Sequence, residues 1–154
     1  MIYINSRKIH GFTLIELTVV LLIAGILLSY AIPSYRDFGL RQKVSNEANG
    51  LLGDLMYARA TAIKEGQSVS VNTISTTNNW AGGWTIRLVT DNILLRQKDA
   101  VNKAISLAGT NSSVVFNNFG AATTVNTITI AHSDVTKSVV LDVSPSGMVS
   151  SREP

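Results

Sequence analysis

Residues 11–32 read GFTLIELTVVLLIAGILLSYAI, and this stretch decides how the rest of the chain is organised. Between positions 12 and 32 there is one acidic residue, Glu16, and no basic residue. These 21 residues would form a helix about 31 Å long, which matches the hydrocarbon core of a bilayer. Because the stretch is apolar on every side, it is predicted to span a membrane or act as a signal, not to cover a protein surface.

The charges around this stretch predict its orientation. Arg7 and Lys8 precede it, and basic flanks stay in the cytoplasm, so the chain after Pro33 is predicted to be periplasmic. A cleaved signal peptide and a plain signal anchor are the simple alternatives. No A-x-A cleavage site follows the stretch. Neither alternative explains Glu16, because a carboxylate inside the hydrocarbon costs roughly 2.5 kcal/mol or more and usually has a partner.

The sequence Gly11-Phe12-Thr13-Leu14-Ile15-Glu16 resembles the processing site of the type IV pilin superfamily. In that family a prepilin peptidase cuts after the glycine, on the cytoplasmic side, and methylates the new N-terminal residue. The resemblance implies that residues 1–11 are a cleaved leader and that Phe12 is the N-methylated mature N-terminus. Glycine at the cut site suits this reaction, because it lets a protease approach the backbone closely.

The same resemblance implies assembly into a filament through residues 12–32, with other pilins or pseudopilins as partners. In the family, the glutamate of one subunit is thought to meet the N-terminal amine of a neighbour. Here Glu16 would meet Phe12 of another subunit, and pairing would relieve the cost of a carboxylate in the membrane. Pro33 also resembles a family position, and its missing backbone donor is expected to kink or locally melt the helix at the membrane exit.

Residues 34–66 are predicted to continue as an amphipathic helix that ends at Gly66. Apolar residues recur at spacings of three and four, which is the period of one helix face. They are Leu40, Val44, Ala48, Leu51, Leu55, Ala58 and Ala62, with Leu52, Met56 and Ile63 widening the stripe. Most of the charged residues, a set that includes Asp54, are expected on the opposite side.

Residues 67–154 change to a period of two, with many β-branched residues, which predicts strands. After the last of these strands, which ends at Val143, turn residues occupy Ser144–Gly147, and a short polar end is expected beyond them. The predicted strands are Val69–Ile74, Trp84–Val89, Ile93–Arg96, Ser106–Leu107, Val114–Phe116, Asn126–Ala131 and Val139–Val143. The fold class is therefore α+β: a long N-terminal helix, half membrane-spanning and half amphipathic, packed on an antiparallel β-sheet, as in the type IV pilin fold.

Three segments of this region resemble the GspH/FimT group of minor pilins and pseudopilins. They are Trp80-Ala81-Gly82-Gly83-Trp84, Val115-Phe116-Asn117-Asn118-Phe119-Gly120, and the last strand leading to Ser146-Gly147. The two tryptophans have two interpretations, core packing at the start of a strand or an exposed stacking platform.

Composition excludes several classes of function. The chain has 154 residues, 15% of them charged, a net charge of +3 and no cysteine. After residue 32 it carries 11 Lys or Arg and 9 Asp or Glu, which is unlike a histone-type nucleic-acid protein. No catalytic triad, zinc motif or phosphate loop is present, and His132 stands alone in its loop. The sequence therefore predicts no enzyme, no metal site and no cofactor.

Two functions remain, and they share the leader, the anchor and the fold. One is a minor pseudopilin that helps to build a type II secretion pseudopilus at the inner membrane. The other is a minor pilin of a type IV pilus that takes up DNA. DNA-binding members resemble G-R-x-R after the last turn, whereas here Gly147 is followed by Met148-Val149-Ser150-Ser151-Arg152. A basic face would then depend on several charges together; the candidates are Arg87, Arg96, Lys98, Lys103 and Arg152.

Overall fold

The structure, a computed structural model, describes residues 12–75 and 77–154, so the predicted leader lies outside the described residues. The chain divides into two compact units, one up to Asp37 and one from Phe38 to Pro154. We describe each unit by itself.

The first unit consists of the N-terminal part of helix α1, which runs from Leu14 to Glu65. This part is long and apolar enough to cross a membrane, and its apolar window is not buried in the protein. Pro33 lies inside the helix. Exposing so many neighbouring apolar side chains to water is unfavourable. We therefore expect this segment to lie in a lipid or protein environment.

In the second unit, one face of α1 forms part of the hydrophobic core. Leu40 and Leu52 of the predicted stripe are only half-buried, and Met56 and Ile63 are exposed. The other residues of the stripe are the buried apolar residues of this face. They are Val44, Ala48, Leu51, Leu55, Ala58 and Ala62. The helix ends at Glu65, where the sequence predicted its end, because Gly66 adopts a φ of +66° that favours glycine.

Eight strands follow the helix and confirm the α+β fold. They are β1 (Val69–Thr73), β2 (Trp84–Leu88), β3 (Leu94–Lys98), β4 (Ile105–Gly109), β5 (Ser113–Phe116), β6 (Asn126–His132), β7 (Val135–Val143) and β8 (Val149–Arg152). They form two antiparallel four-stranded sheets, in the orders β3-β2-β1-β5 and β4-β6-β7-β8. The sequence predicted an antiparallel sheet but not this division, which depends on pairing between β1 and β5 across 40 residues of chain.

Strand β8 was not predicted, since only a short polar end was expected after the Ser144–Gly147 turn. Val149 pairs with Val143 and Arg152 pairs with Val140, so the last residues extend the second sheet. Only one of the four β8 residues is apolar, which is why hydrophobic alternation did not reveal the strand. Strand β7 likewise begins at Val135, before the predicted start at Val139, because the turn needs only Ser133 and Asp134.

The tryptophans Trp80 and Trp84 both lie in the core, in agreement with the first of their two predicted roles. Trp80 starts a short 3-10 helix, Trp80–Gly82, and its indole N–H donates to the Asn111 carbonyl at 2.9 Å. Trp84 starts β2. Gly83 between them has a φ of +94°, and a Cβ there would come within 2.3 Å of the Lys98 carbonyl oxygen. The close approach to the backbone after β3 therefore requires glycine at this position.

Candidate functional site

The start of helix α1 is closed by hydrogen bonds between Thr13 and Glu16. The Thr13 backbone N–H donates to a Glu16 carboxylate oxygen at 2.9 Å, and the Thr13 hydroxyl donates to the same oxygen at 3.0 Å. The Glu16 N–H donates back to the Thr13 hydroxyl at 3.2 Å. This reciprocal pair is a capping box, which satisfies amide groups that the first helical turn leaves without partners.

Glu16 therefore has a structural role that its position in the apolar run did not suggest. The T-x-x-E spacing from Thr13 to Glu16 was the available signal for it. The carboxylate lies at an exposed helix start, four residues after Phe12, whose side chain is also exposed. It can accept further hydrogen bonds, because a carboxylate has about four acceptor positions and Thr13 uses one oxygen.

The second unit contains a buried carboxylate that sequence reasoning placed on the wrong side of the helix. Asp54 is buried, and its Oδ2 accepts from the Trp84 indole N–H at 2.9 Å. Its Oδ1 accepts from the Arg96 guanidinium at 2.6 Å. Arg96 also lies over the ring of Tyr57, 4.2 Å from its centroid. The hydrogen bond to Asp54 raises the pKa of the Arg96 guanidinium above its ordinary value.

No signal in the helical periodicity identifies Asp54 as buried, because a charge next to an apolar stripe usually faces solvent. Its burial depends on Trp84 and Arg96, which come from strands β2 and β3 of the first sheet. The two donors compensate the loss of hydration of the carboxylate, and they connect the helix to that sheet.

The five candidate DNA contacts lie on different surfaces of the unit. Arg96 and Lys98 pair with the buried residues Ile86 and Trp84 across the sheet, so both face helix α1. Lys98 lies 3.5 Å from Glu47 of that helix. Arg87 faces the opposite side of β2 and donates to the Asn92 carbonyl at 3.2 Å.

The other two candidates lie outside the first sheet. Lys103 is exposed in the connection between β3 and β4. Arg152 lies on β8 and donates to Asp142 at 2.9 Å. Three of the five cations, Arg96, Lys98 and Arg152, thus pair with carboxylates of the same chain. The structure brings together Arg96 and Lys98 but not the whole set.

The two glycine turns singled out in the sequence lie against each other. The Arg59 Nε donates to the Gly120 carbonyl at 2.9 Å, and its Nη2 donates to the Ser146 carbonyl at 3.4 Å. Gly120 and Gly147 have φ values of +77° and +76°. A Cβ on Gly147 would come within 1.8 Å of the Gly120 carbonyl oxygen, so the two turns can meet only because Gly147 has no side chain.

No metal site is formed by the part of the chain that the structure describes: no three His, Asp or Glu residues converge there. His132 is buried at the end of β6, and its Nδ1 accepts from the Asp134 N–H at 3.1 Å. The ring therefore holds the β6–β7 turn, which is a structural role.

Comparison with known families identifies the chain. Residues 47–147 match the family described as "Type II transport protein GspH", which is more than half of the chain. The chain belongs to the GspH family. Residues 6–32 of this GspH chain also match the prokaryotic N-terminal methylation motif. The predicted membership of the type IV pilin superfamily is thereby confirmed, and the chain is a minor pilin or pseudopilin, a structural class of protein.

Solved structures of the same fold come from both kinds of filament. The type IV minor pilin FimU of Pseudomonas aeruginosa aligns with a TM-score of 0.66 and 21% identity, over 76% of this GspH chain and 96% of that chain. The minor pseudopilin EpsH from the type 2 secretion system of Vibrio cholerae aligns with a TM-score of 0.57 and 14% identity, over 72% and 97%. At these identities the likeness is one of fold.

Curated relatives match over a shorter length. A fimbrial protein of Pseudomonas aeruginosa is 42% identical over 59 residues, which is 38% of this chain and 38% of that protein. The type IV major fimbrial protein FimA of Dichelobacter nodosus is 43% identical over 60 residues, which is 39% of this chain and 36% of that protein. The GspH chain thus spans less than two fifths of the length of these relatives.

Proposed function

We propose that this chain is a minor pseudopilin, a structural and initiating subunit of a type II secretion pseudopilus. The observation that carries the proposal is the match of residues 47–147 to the type II transport protein GspH, because it covers the folded region and not only the shared N-terminal motif. The fold of EpsH, a pseudopilin of a type 2 secretion system, is consistent with it. The subunit would contribute shape and contacts to the filament and perform no chemistry.

The proposed maturation has two steps. A prepilin peptidase removes residues 1–11 by cleavage after Gly11, and Phe12 is then N-methylated. The match of residues 6–32 to the N-terminal methylation motif supports both steps. Residues 12–33 then anchor the subunit in the inner membrane by a single pass and later enter the filament core. Residues 34–66 form the amphipathic half of the helix, and residues 67–154 form the β-rich periplasmic part.

We further propose that Glu16 drives entry into the filament by pairing with the N-terminal amine of Phe12 on a neighbouring subunit. The exposed carboxylate at the helix start supports this role, because it keeps acceptor capacity beyond its bonds to Thr13. A paired carboxylate in an apolar environment costs less than an unpaired one, so pairing favours subunit addition. Pro33 is proposed to give the helix local freedom at the membrane exit during that transfer.

The second candidate is a FimT-like minor pilin of a type IV pilus, with DNA uptake as the function to be tested. Its support is the alignment with the minor pilin FimU and the similarity to fimbrial proteins. The ion pairs of Arg96, Lys98 and Arg152 count against DNA binding. In each pair a carboxylate of the same chain neutralises the positive charge that would otherwise attract a DNA phosphate.

A clean deletion of the gene tests the two candidates in one strain. Protein released into the medium reports secretion, and DNA uptake with twitching motility reports pilus function. Loss of secretion alone is the expected result, reversed by the native gene on a plasmid. Loss of uptake or motility alone would overturn the secretion proposal and establish the pilus candidate. Intact secretion, uptake and motility would contradict both.

The cleavage site has its own test. Gly11→Glu places a charged side chain where the peptidase must approach the backbone, so the leader is expected to remain attached. Intact mass of the membrane-extracted chain reports the outcome. Asn5→Glu is the matched control, because it adds the same charge away from the cut and should be processed normally. A mature mass for Gly11→Glu would count against cleavage after Gly11.

A further inference from the structure

An open groove lies on the folded unit, beside the contact between Arg59 and the Gly120 and Gly147 turns. It has a volume of about 510 Å³. One wall is a face of helix α1, and the other is the turn between β7 and β8. The lining residues are Met56, Arg59, Ala60, Ile63, Gly147, Met148 and Val149.

The groove is bordered by large apolar side chains that are exposed. Met56 is 58% exposed, Ile63 is 51% exposed and Met148 is 63% exposed. Phe119, next to Gly120 in the turn that touches Ile63, is 81% exposed. Single exposed apolar residues are ordinary, but a cluster around a concavity is typical of a binding surface. The two methionines suit this role, because their flexible side chains adapt to a partner.

Arg59 gives the groove a positive charge. Its guanidinium donates to the carbonyl oxygens of Gly120 and Ser146, which fix its position without neutralising it. Within residues 12–75 and 77–154 no ion pair to Arg59 is formed. By contrast, Lys64 of the same helix and Arg96 and Lys98 of the first sheet have carboxylate partners. A ligand with an apolar surface and a carboxylate would complement the groove.

We propose that this groove docks the folded part of a neighbouring pilin-like subunit, through an apolar segment that presents a carboxylate to Arg59. This inference rests on the proposed function, because it requires that the chain enters a filament. A concave groove between two walls suits a protruding protein segment, whereas a flat bilayer surface would meet its rim. DNA is disfavoured as the occupant, because a single cation among apolar side chains provides little electrostatic affinity for a phosphate backbone.

Single cysteines test which molecule occupies the groove, since the chain has no cysteine of its own. Met148→Cys in the full-length chain carries a thiol-reactive photo-crosslinker in the groove. Thr129→Cys carries it on the exposed face of β6, outside the groove, as the matched control. Irradiation of intact cells is expected to join Met148→Cys to a pilin-family subunit, identified by mass spectrometry, in about tenfold excess over Thr129→Cys. Equal products from both positions, or a product with DNA or lipid alone, would overturn the proposal.

Complementation of the deletion strain separates this inference from the proposed function. Met148→Asp and Met56→Asp place a negative charge in the groove, and the filament function is expected to fall about tenfold or more. Thr129→Asp should restore it fully. Because Met56 and Met148 are exposed, folding is expected to persist, and thermal unfolding of the purified chains checks this. If both groove variants fold and restore function fully, the groove proposal fails while the filament function stands. If the native gene restores nothing, the proposed function itself fails.

Discussion

Asp54 is the residue whose environment differs most from its sequence context. It lies beside an apolar helical stripe, yet the folded chain encloses it between the Trp84 indole and the Arg96 guanidinium. Asp54 accepts a hydrogen bond from each partner. It satisfies the buried indole N–H of Trp84, and it binds the Arg96 guanidinium, which lies over the Tyr57 ring. At the residue scale, the contact between helix and first sheet is therefore a specific polar one within an apolar core.

Asp54→Ala is expected to lower the free energy of unfolding by about 1–3 kcal/mol, because the buried Trp84 N–H loses its acceptor. Chemical denaturation of the full-length chain in detergent, followed by tryptophan fluorescence, measures the change. Glu65→Ala is the control, since its pair with Lys64 is exposed and contributes little. Equal midpoints for Asp54→Ala and the native chain would show that this carboxylate does not hold the helix to the sheet.

Gly147→Ala is expected to destabilise the folded unit by more than about 1 kcal/mol, because alanine is strained at positive φ and its Cβ would overlap the Gly120 carbonyl. Gly53→Ala is the matched control. Its Cβ would meet nothing within 4 Å, so alanine should be neutral or raise stability by up to about 1 kcal/mol. Thermal unfolding compares the two variants. The prediction is wrong if the midpoint of thermal unfolding of Gly147→Ala equals that of the native chain.

At the scale of elements, β8 shows how a strand can form with little apolar content. Besides its backbone pairing with β7, it is joined to that strand by Arg152 to Asp142 at 2.9 Å. Glu153, just beyond β8, lies 2.7 Å from Lys137 of β7. Asp142 also accepts from the Thr127 hydroxyl on β6 at 2.8 Å. Side-chain charges here supplement backbone hydrogen bonds at a sheet edge.

Strand β8 should therefore loosen in acid. The hydrogen bonds from Arg152 and Thr127 hold the pKa of Asp142 below its ordinary value. A lowered pKa means that the pairing stabilises the folded state above about pH 4 and that this contribution is lost as pH falls through the lowered value. Hydrogen exchange of the Val149–Arg152 amides, expressed as protection factors, should show the loss.

The control for this titration is Asp142→Asn in a Glu153→Gln background, so that Glu153 does not contribute. In that background, Asp142→Asn should reduce β8 protection already at pH 7 and remove the acid step. Protection that falls with acid to the same extent with and without Asp142 would contradict the assignment to this carboxylate.

At the scale of the whole molecule, the two units are adapted to different environments. The apolar window of the N-terminal helix has none of its residues buried in the protein. The unit from Phe38 to Pro154 has its own core, with Trp80, Trp84 and Phe116 among the fully buried side chains. Residues 12–37 have no buried core among themselves, so we expect their stability to depend on lipid or on other protein, in line with the filament role proposed above.

Two substitutions at Glu16 separate its capping role from its charge. Glu16→Gln keeps an oxygen acceptor for Thr13 but removes the charge, whereas Glu16→Ala removes both. If assembly uses the carboxylate, both variants should be processed normally and be poorly incorporated into sheared or cross-linked filaments. Glu65→Ala, at the other end of the helix, should be incorporated normally. Normal incorporation of Glu16→Gln would assign Glu16 to helix capping alone, and normal incorporation of Glu16→Ala would remove it from assembly.

The superfamily, the long helix, its end at Gly66 and the α+β class could all be predicted from the sequence alone. These follow from local signals: an unbroken apolar run, a helical repeat, a glycine stop and alternation in strands such as β2 and β6. The buried apolar face of α1 was predictable for the same reason, since it depends only on spacing along one helix.

The remaining features depend on how the elements pack and could not be predicted from local patterns. Strand β8 pairs with its neighbour β7, and only its low apolar content hid it from the sequence. The division into two sheets, the burial of Asp54, and the contact between Gly120 and Gly147 each depend on residues that are distant in sequence. The basic candidates show the same limit: Arg96 and Lys98 are two residues apart, but their carboxylate partners lie about 40 to 50 residues earlier on α1. Local periodicity reports which face of an element is apolar, whereas the partner of each polar side chain is set by how the elements pack.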